Sequence, residues 1–355
     1  MSAYQDLEAT FRRVRRLEEI AGVLYWDMRT MMPSGGADGR AAQLSEITLL
    51  SHELMTDPAL ADKLAQAAND VSDDDTLSAS VREMKRTHLH ANAGDAKLVE
   101  EMTKVGIECT MLWREARANN DFKMLEPKLT RVFELVRELG AATGEALGTS
   151  SYDALIDRFE PGMTTKRIDT IFEPLRAELP GLIGEVIEKQ AQWGEITLPP
   201  GPFSPEKQRE IGMTFMKALG FDFDHGRLDT SLHPFCGGVP QDVRITTRYD
   251  ETDFTSALMG VLHETGHALY ERQLPTDWSA LPMGQARGMG IHESQSLFVE
   301  MQVCRSGAFV EWAGPQLKSH FEGKGSTWDI DNLKKIYRQV KRGLIRVDAD
   351  EVTYP

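Results

Sequence analysis

The residues of this chain that are best placed to do chemistry lie together in one segment. Ala257 to Tyr270 reads as a buried helix carrying His263-Glu264-Thr265-Gly266-His267, the pattern H-E-x-x-H. On a helix, positions i and i+4 stand one above the other, ~5 to 6 Å apart at Cβ, so both imidazoles can reach one tetrahedral cation. Zinc suits that spacing. Glu264 lies one residue on, at the edge of the same face, where its carboxylate can take a proton from an activated water instead of ligating the metal. Chance supplies only about 0.02 such matches in a chain with 9 histidines among 355 residues. The apolar flanks Leu258, Met259, Val261, Leu262, Ala268 and Leu269 strengthen the pattern, because polar groups on a buried helix need partners. The competing reading is a pair of core histidines satisfied by hydrogen bonds.

A catalytic zinc commonly takes three protein ligands and leaves a fourth position open. Position 273, where a third histidine would extend the motif, is Gln273. A carboxylate on a following helix is therefore expected, and Glu293, in Gly290-Ile291-His292-Glu293-Ser294-Gln295-Ser296, opens such a helix. The alternative for Glu293 is a first-turn acid favoured by the helix dipole. Glu271 sits a further turn along the metal helix, too far up to complete the site. Glu300 follows two turns after Glu293 and reads as a support for a ligand.

These residues must be carried by a mostly helical chain. Helical apolar spacing runs through Val99 to Trp113, Leu129 to Leu147 and Lys166 to Trp193, the last with an interruption expected near Pro180. Turns are expected at Met32 to Gly36, Glu160 to Gly162 and Leu198 to Pro202, and Asp73 to Asp75 reads as a solvated loop rather than a calcium loop. Val243 to Tyr249, alternating and β-branched after Gly237, Gly238 and Pro240, predicts a strand. Helix resumes at Phe254, with breaks expected at Pro275, Pro282 and Pro315.

Composition narrows the class. Forty basic against 55 acidic residues give a formal charge of −15, and 41% of the chain is hydrophobic. That is enough apolar material for a sizeable core, so disordered, collagen-like and disulfide-scaffold classes are excluded. The acidic balance argues against nucleic acid and anionic membranes as partners. Cys109, Cys236 and Cys304 are too scattered for a disulfide framework or a thiolate metal site, which fits a reducing compartment. The N-terminus reads as an amphipathic helix rather than a signal peptide, and no window approaches a membrane span. A soluble cytoplasmic protein is expected.

Several spaced motifs carry a family resemblance across essentially the whole chain. His233-Pro234-Phe235, Asp242-Val243-Arg244-Ile245-Thr246-Thr247, the His263 to His267 motif, His292-Glu293-Ser294-Gln295-Ser296 and Ile345-Arg346-Val347-Asp348-Ala349-Asp350 resemble, in order, those of the carboxypeptidase Taq family of thermostable zinc-type metallocarboxypeptidases. Trp26-Asp27, Met32 to Gly36, Tyr152 to Leu155 and Glu160 to Met163 look like further family segments. The resemblance implies a mainly α, long-helix zincin-like fold with a substrate cleft and a small β-sheet beside the metal-binding helix. It implies His263, His267 and Glu293 as ligands of zinc, with cobalt or manganese as possible substitutes. Glu264 is then the base in removal of single residues from peptide C-termini, by a protein that is homodimeric in this family. The chain is expected to be a single metallocarboxypeptidase domain over 1–355, with a helical region to about residue 200 and the metal-site region after it. It stops just after the Ile345 to Asp350 motif, whereas the family continues through a G-x-x-Q-D-x-H-W motif, so the C-terminal part of the family fold is expected to be lacking.

A carboxypeptidase also needs a cation for the substrate's terminal carboxylate. Arg346 and Arg244 are the candidates, because the planar guanidinium grips a carboxylate bidentately, although each could instead pair with Asp348, Asp350 or Asp242. His233 is assigned to the substrate, with a packing role as its alternative. His292 and Asp242 are assigned to support the ligands from behind. An endopeptidase or aminopeptidase would use the same metal helix without the arginine anchors. A metal-binding interaction protein with impaired catalysis is the remaining alternative.

Overall fold

A computed structural model describes residues 2–343, 349–350 and 352–354, and it divides into two compact units. The first comprises Met1–Thr164 with Gly238–Pro240 and Gln273–Met289. Seven helices build it: α1 (Ala3–Thr30), α2 (Ala37–Met55), α3 (Pro58–Asp70), α4 (Asp75–Ala93), α5 (Ala96–Ala118), α6 (Phe122–Leu147) and α7 (Ser151–Asp157). Their starts are written in the sequence. Ser2 closes a capping box with Gln5 on α1, and Asp57, Asp74, Asp95, Asp121 and Ser150 each accept a backbone N–H at the start of the next helix. Asp74 thus spends its carboxylate on α4, so the loop expected at Asp73 to Asp75 ends at Asp74 and Asp75 is the first residue of the helix. The core joins Leu7, Phe11 and Val14 of α1 to Leu60 and Leu64 of α3 and Val81 and Met84 of α4.

The second unit comprises Thr165–Gly237, Gln241–Arg272 and Gly290–Pro355. It holds α8 (Thr165–Gln190), α9 (Pro205–Ala218), β1 (Gly226–Thr230), the first three residues of β2 (Phe235–Val239), β3 (Asp242–Thr247), α10 (Phe254–Arg272) and all but the first residue of α11 (Met289–Leu297). A π-helical segment, Phe298–Cys304, prolongs α11, and α12 (Gly307–His320) and α13 (Ile330–Arg338) follow. The sheet has the order β1-β3-β2, with β1 parallel to β3 from Gly226↔Val243 to Thr230↔Thr247. The strand expected at Val243 to Tyr249 is β3, which begins one residue earlier and ends at Thr247. Its buried Val243 and Ile245, with Leu228 of β1, pack on Val261 and Ala268 of α10.

The opposite side of α10 faces a second apolar cluster. Phe254, Leu258 and Leu262 meet Phe215, Val310, Leu317 and Leu333, and Phe254 stacks on Trp328 at 5.6 Å between ring centroids. Buried Gln208 of α9 donates to the carbonyls of Phe203 (2.7 Å) and Asp250 (2.8 Å), tying down the chain that leads into α10. The metal helix is thus clamped between a sheet and an aromatic core. Only its remaining face is left for chemistry.

Two expectations are overturned here. Pro180 does not interrupt α8, which runs from Thr165 to Gln190 with Pro174 and Pro180 inside it, and Pro315 lies within α12. A proline in a helix orphans the carbonyl four residues earlier. Those carbonyls belong to Thr170, Arg176 and Glu311, all exposed residues, so water can take the place of the missing N–H donors.

One backbone approach sets the distance between α10 and α11. A Cβ on Gly266 would come within 2.6 Å of the Gln295 carbonyl oxygen and of the Ser296 Cα. Gly266→Ala is therefore expected to push the two helices apart and to cost about 1 to 3 kcal/mol through overpacking. A urea midpoint equal to that of the unsubstituted protein would show that the crossing tolerates the methyl group.

Candidate metal centre

Helix α10 presents His263 and His267 on its free face, and α11 delivers Glu293 to them. Ser296 lies against Gly266, His292 reaches Glu271, and Glu300 reaches His263, so α11 and its π-helical continuation run antiparallel to α10. Glu293 Oε2 lies 3.1 Å from His267 Nε2 and 3.7 Å from His263 Nε2. Ligand atoms of the three residues lie within 4.8 Å of one another, the one such group among the described residues. Donors around a tetrahedral ion at ~2.1 Å stand about 3.4 Å apart, so the set fits a divalent metal with little movement. Two nitrogens and one carboxylate oxygen would leave a tetrahedral ion one position for water or substrate.

Each donor is held from behind. The Nδ1 of His263 is 3.0 Å from Glu300 Oε2, and Glu300 in turn accepts from Arg305 at 2.6 Å. His267 Nδ1 is 2.6 Å from His292 Nδ1, whose Nε2 is 2.8 Å from Glu271 Oε1. Glu293 accepts from the Ser296 hydroxyl (3.0 Å) and from the hydroxyl of Tyr354. With Nδ1 of both histidines engaged, the Nε2 atoms are the ones that face Glu293.

The electrostatics favour a cation. Burial is the largest influence on Glu264 and pushes its carboxyl up to about 7, with Glu293 and Glu300 adding to the rise and His263 opposing it. Glu293 is held far below the usual carboxylate range, first by the hydrogen bond from His267 and then, against burial, by Tyr354, His263 and Ser296. Burial pulls the His263 imidazole down, but the Glu300 hydrogen bond and the charges of Glu264, Glu300 and Glu293 outweigh it and raise it overall. In Glu300 burial pushes upward, and His263 and Arg305 bring the carboxyl below its ordinary value. Burial, with Glu264 and Glu271 nearby, drives the Cys236 thiol well above its ordinary range, so it is no soft thiolate donor here.

The sequence-derived candidates do not all converge. His263, His267, Glu293, Glu264 and His292 come together as expected, with Glu264 buried to 7% exposure. Glu300 contacts His263, while Glu271 contacts His292 and lies outside the donor set. Arg244 closes a bidentate ion pair with Asp242, at 2.9 Å from Nε and 2.5 Å from NH2, both on β3. Asp242 thus contacts Arg244 there. His233 is exposed in the turn between β1 and β2, where its carbonyl accepts from Ser231 Oγ at 2.6 Å. Arg346 lies outside the described residues. Sequence reasoning missed Ser296 and Tyr354. Ser296 could have been found from its i+3 spacing to Glu293, whereas nothing local points to Tyr354, 61 positions away.

A helical scaffold that brings two histidines and a glutamate from adjacent helices into one donor set, with a buried glutamate beside them, is the arrangement expected of a metallopeptidase. The chain belongs to the family described as Carboxypeptidase Taq (M32) metallopeptidase, whose sequence profile matches residues 6–355. It is 35% identical to Thermostable carboxypeptidase 1 of Thermus thermophilus, covering 99% of this chain and 71% of that one. It is 32% identical to Carboxypeptidase 1 of Bacillus subtilis, covering 97% and 68%. The solved structure of Trypanosoma cruzi metallocarboxypeptidase 1 superposes with a TM-score of 0.91 at 42% identity, covering 99% of this chain and 71% of that one. The protein is accordingly a peptide hydrolase of the metallocarboxypeptidase type that uses a divalent metal, and its mainly helical fold with a three-stranded sheet is the family's. Among the described residues, no helix is long and apolar enough to cross a membrane.

Because Glu300 fixes His263 from behind, Glu300→Gln is expected to weaken metal binding about 10- to 100-fold. Competition with a chelator of known affinity measures it. Binding as tight as in the unsubstituted protein would deny Glu300 that role.

Proposed function

We propose that this protein is a zinc carboxypeptidase in which His263, His267 and Glu293 hold the ion and Glu264 is the general base. The observation that carries the reading is the convergence of two Nε2 atoms on Glu293 Oε2, at 3.1 and 3.7 Å, with Glu264 buried one residue from a ligand. Zinc bound there supplies Lewis acidity, acidifying a water molecule and polarising the scissile carbonyl. Two imidazoles and one carboxylate suit zinc, and cobalt or manganese can substitute where availability favours them.

Glu264 takes the proton of the attacking water and passes it to the leaving amine, so one carboxylate serves as base and then as acid. Its burial excludes bulk water that would compete for that proton. Glu300, His292 and Tyr354 keep the donors in place while charge shifts in the site. Of the two arginines proposed for the substrate's terminal carboxylate, Arg244 is already committed to Asp242. We therefore assign the anchor to Arg346, and we assign exposed His233 to contact with the peptide. The reading extends to peptide substrates in the cytoplasm and to a homodimer, as the family resemblance implies, and light scattering of the purified protein checks the latter.

Two measurements test the assignment. Release of a free C-terminal amino acid from an N-blocked dipeptide is expected with zinc or cobalt and to stop on chelation, and amidating the peptide's C-terminus is expected to abolish it. Cleavage indifferent to amidation would point to an endopeptidase or aminopeptidase instead. Glu264→Gln is expected to keep its zinc while turnover falls by about 10²- to 10⁴-fold. Full hydrolysis by a zinc-loaded Glu264→Gln protein would falsify the base assignment.

A further inference from the structure

The metal site reaches outward along α10 through a carboxylate that touches no proposed ligand. Glu271 Oε1 is 2.8 Å from His292 Nε2, and His292 Nδ1 is 2.6 Å from His267 Nδ1. The three side chains are partly or largely shielded, with exposures of 26% for Glu271 and 12% for each of the two histidines. Glu271 lies one turn beyond His267, so the two ends of this chain of contacts are anchored on one rigid helix, with His292 of α11 between them.

Hydrogen-bond logic gives the arrangement a direction. A carboxylate only accepts, so the contact with Glu271 places a proton on Nε2 of His292. A 2.6 Å contact between two ring nitrogens must contain one hydrogen. With a divalent metal held at its Nε2, His267 would carry its one ring proton on Nδ1, and that hydrogen would be its own.

We propose that Glu271 is a positioning residue for the metal centre, acting through His292 to fix the His267 ring so that its Nδ1 donates to His292 and its Nε2 is offered to the metal. Both the orientation and the basicity of the ligand benefit, since a ring that donates to a well-anchored acceptor is the better donor at its other nitrogen. The inference rests on the reading of His263, His267 and Glu293 as metal ligands. It does not depend on which peptides are cleaved.

The experiment reads zinc affinity rather than turnover. Chelator competition is run on the unsubstituted protein, Glu271→Ala, His292→Phe and the double variant, with urea midpoints confirming that each is folded. Glu271→Ala and His292→Phe are each expected to weaken zinc binding about 10- to 100-fold. The double variant is expected to bind no more weakly than His292→Phe alone, because residues acting through one another are not additive. A full further loss on adding Glu271→Ala to His292→Phe would overturn the proposal and assign Glu271 a direct electrostatic effect. Nitrogen NMR of histidine-labelled, zinc-loaded protein decides the case without any variant. A proton on Nε2 and none on Nδ1 of His292 supports the relay, and the reverse overturns it. A protein that binds zinc with these properties yet releases no C-terminal residue would sink the carboxypeptidase reading and leave this one standing.

Discussion

The chemistry depends on one backbone approach, between Gly266 in α10 and Ser296 in α11. A side chain at position 266 would strike the Gln295 carbonyl and the Ser296 Cα, so only glycine lets the helices come this close. At that separation the short reach of a glutamate suffices to bring Glu293 to both histidines. The antiparallel run then sets the other pairs in register, with His292 and Glu271 at one end and Glu300 and His263 at the other. Had the helices been an ångström or two further apart, the same residues would be separate polar groups on a buried surface.

That burial has a cost, and the site is arranged around it. Glu264, Glu293 and Glu300 are gathered with His263, His267 and His292, and Arg305 is the cation paired with Glu300. Carboxylates removed from water need positive charge or donors close by. Glu293 and Glu300 have donors and are held ionised, whereas Glu264 lacks comparable support and its carboxyl is pushed up toward neutrality. A divalent ion between the donors would supply the missing positive charge. The polar groups left without a full complement of partners and the function therefore have the same origin.

The scaffold keeps α10 from yielding to these forces. Its Val261 and Ala268 lie on the sheet, while Phe254, Leu258 and Leu262 enter the aromatic cluster with Trp328. Interiors packed in this way resist displacement, which holds the ligand-bearing face still. The π-helical turns of Phe298–Cys304 sit where Glu300 must face His263, a place where departure from regular helical spacing changes the aim of a side chain.

What the sequence determined by itself was local in origin. The spacing of His263, Glu264 and His267 puts them on one helix surface in any fold that keeps the helix, and alternation of β-branched residues marks β3 in the same way. The expectation of a carboxylate on the helix after His267 came from the same local reasoning, as did that of support from His292 and Glu300, and the structure brings these side chains together. The helices that run through Pro180 and Pro315 were not, because the penalty for proline depends on whether water reaches the orphaned carbonyl, and exposure is a tertiary property. Nor was the commitment of Arg244 to Asp242, since a guanidinium with several acids in range chooses by geometry. Pairs such as Tyr354 with Glu293 and His292 with Glu271, 61 and 21 positions apart, exist only once the chain has folded. Periodicity decides which residues share a face, but the distance and direction between two elements decide which atoms meet.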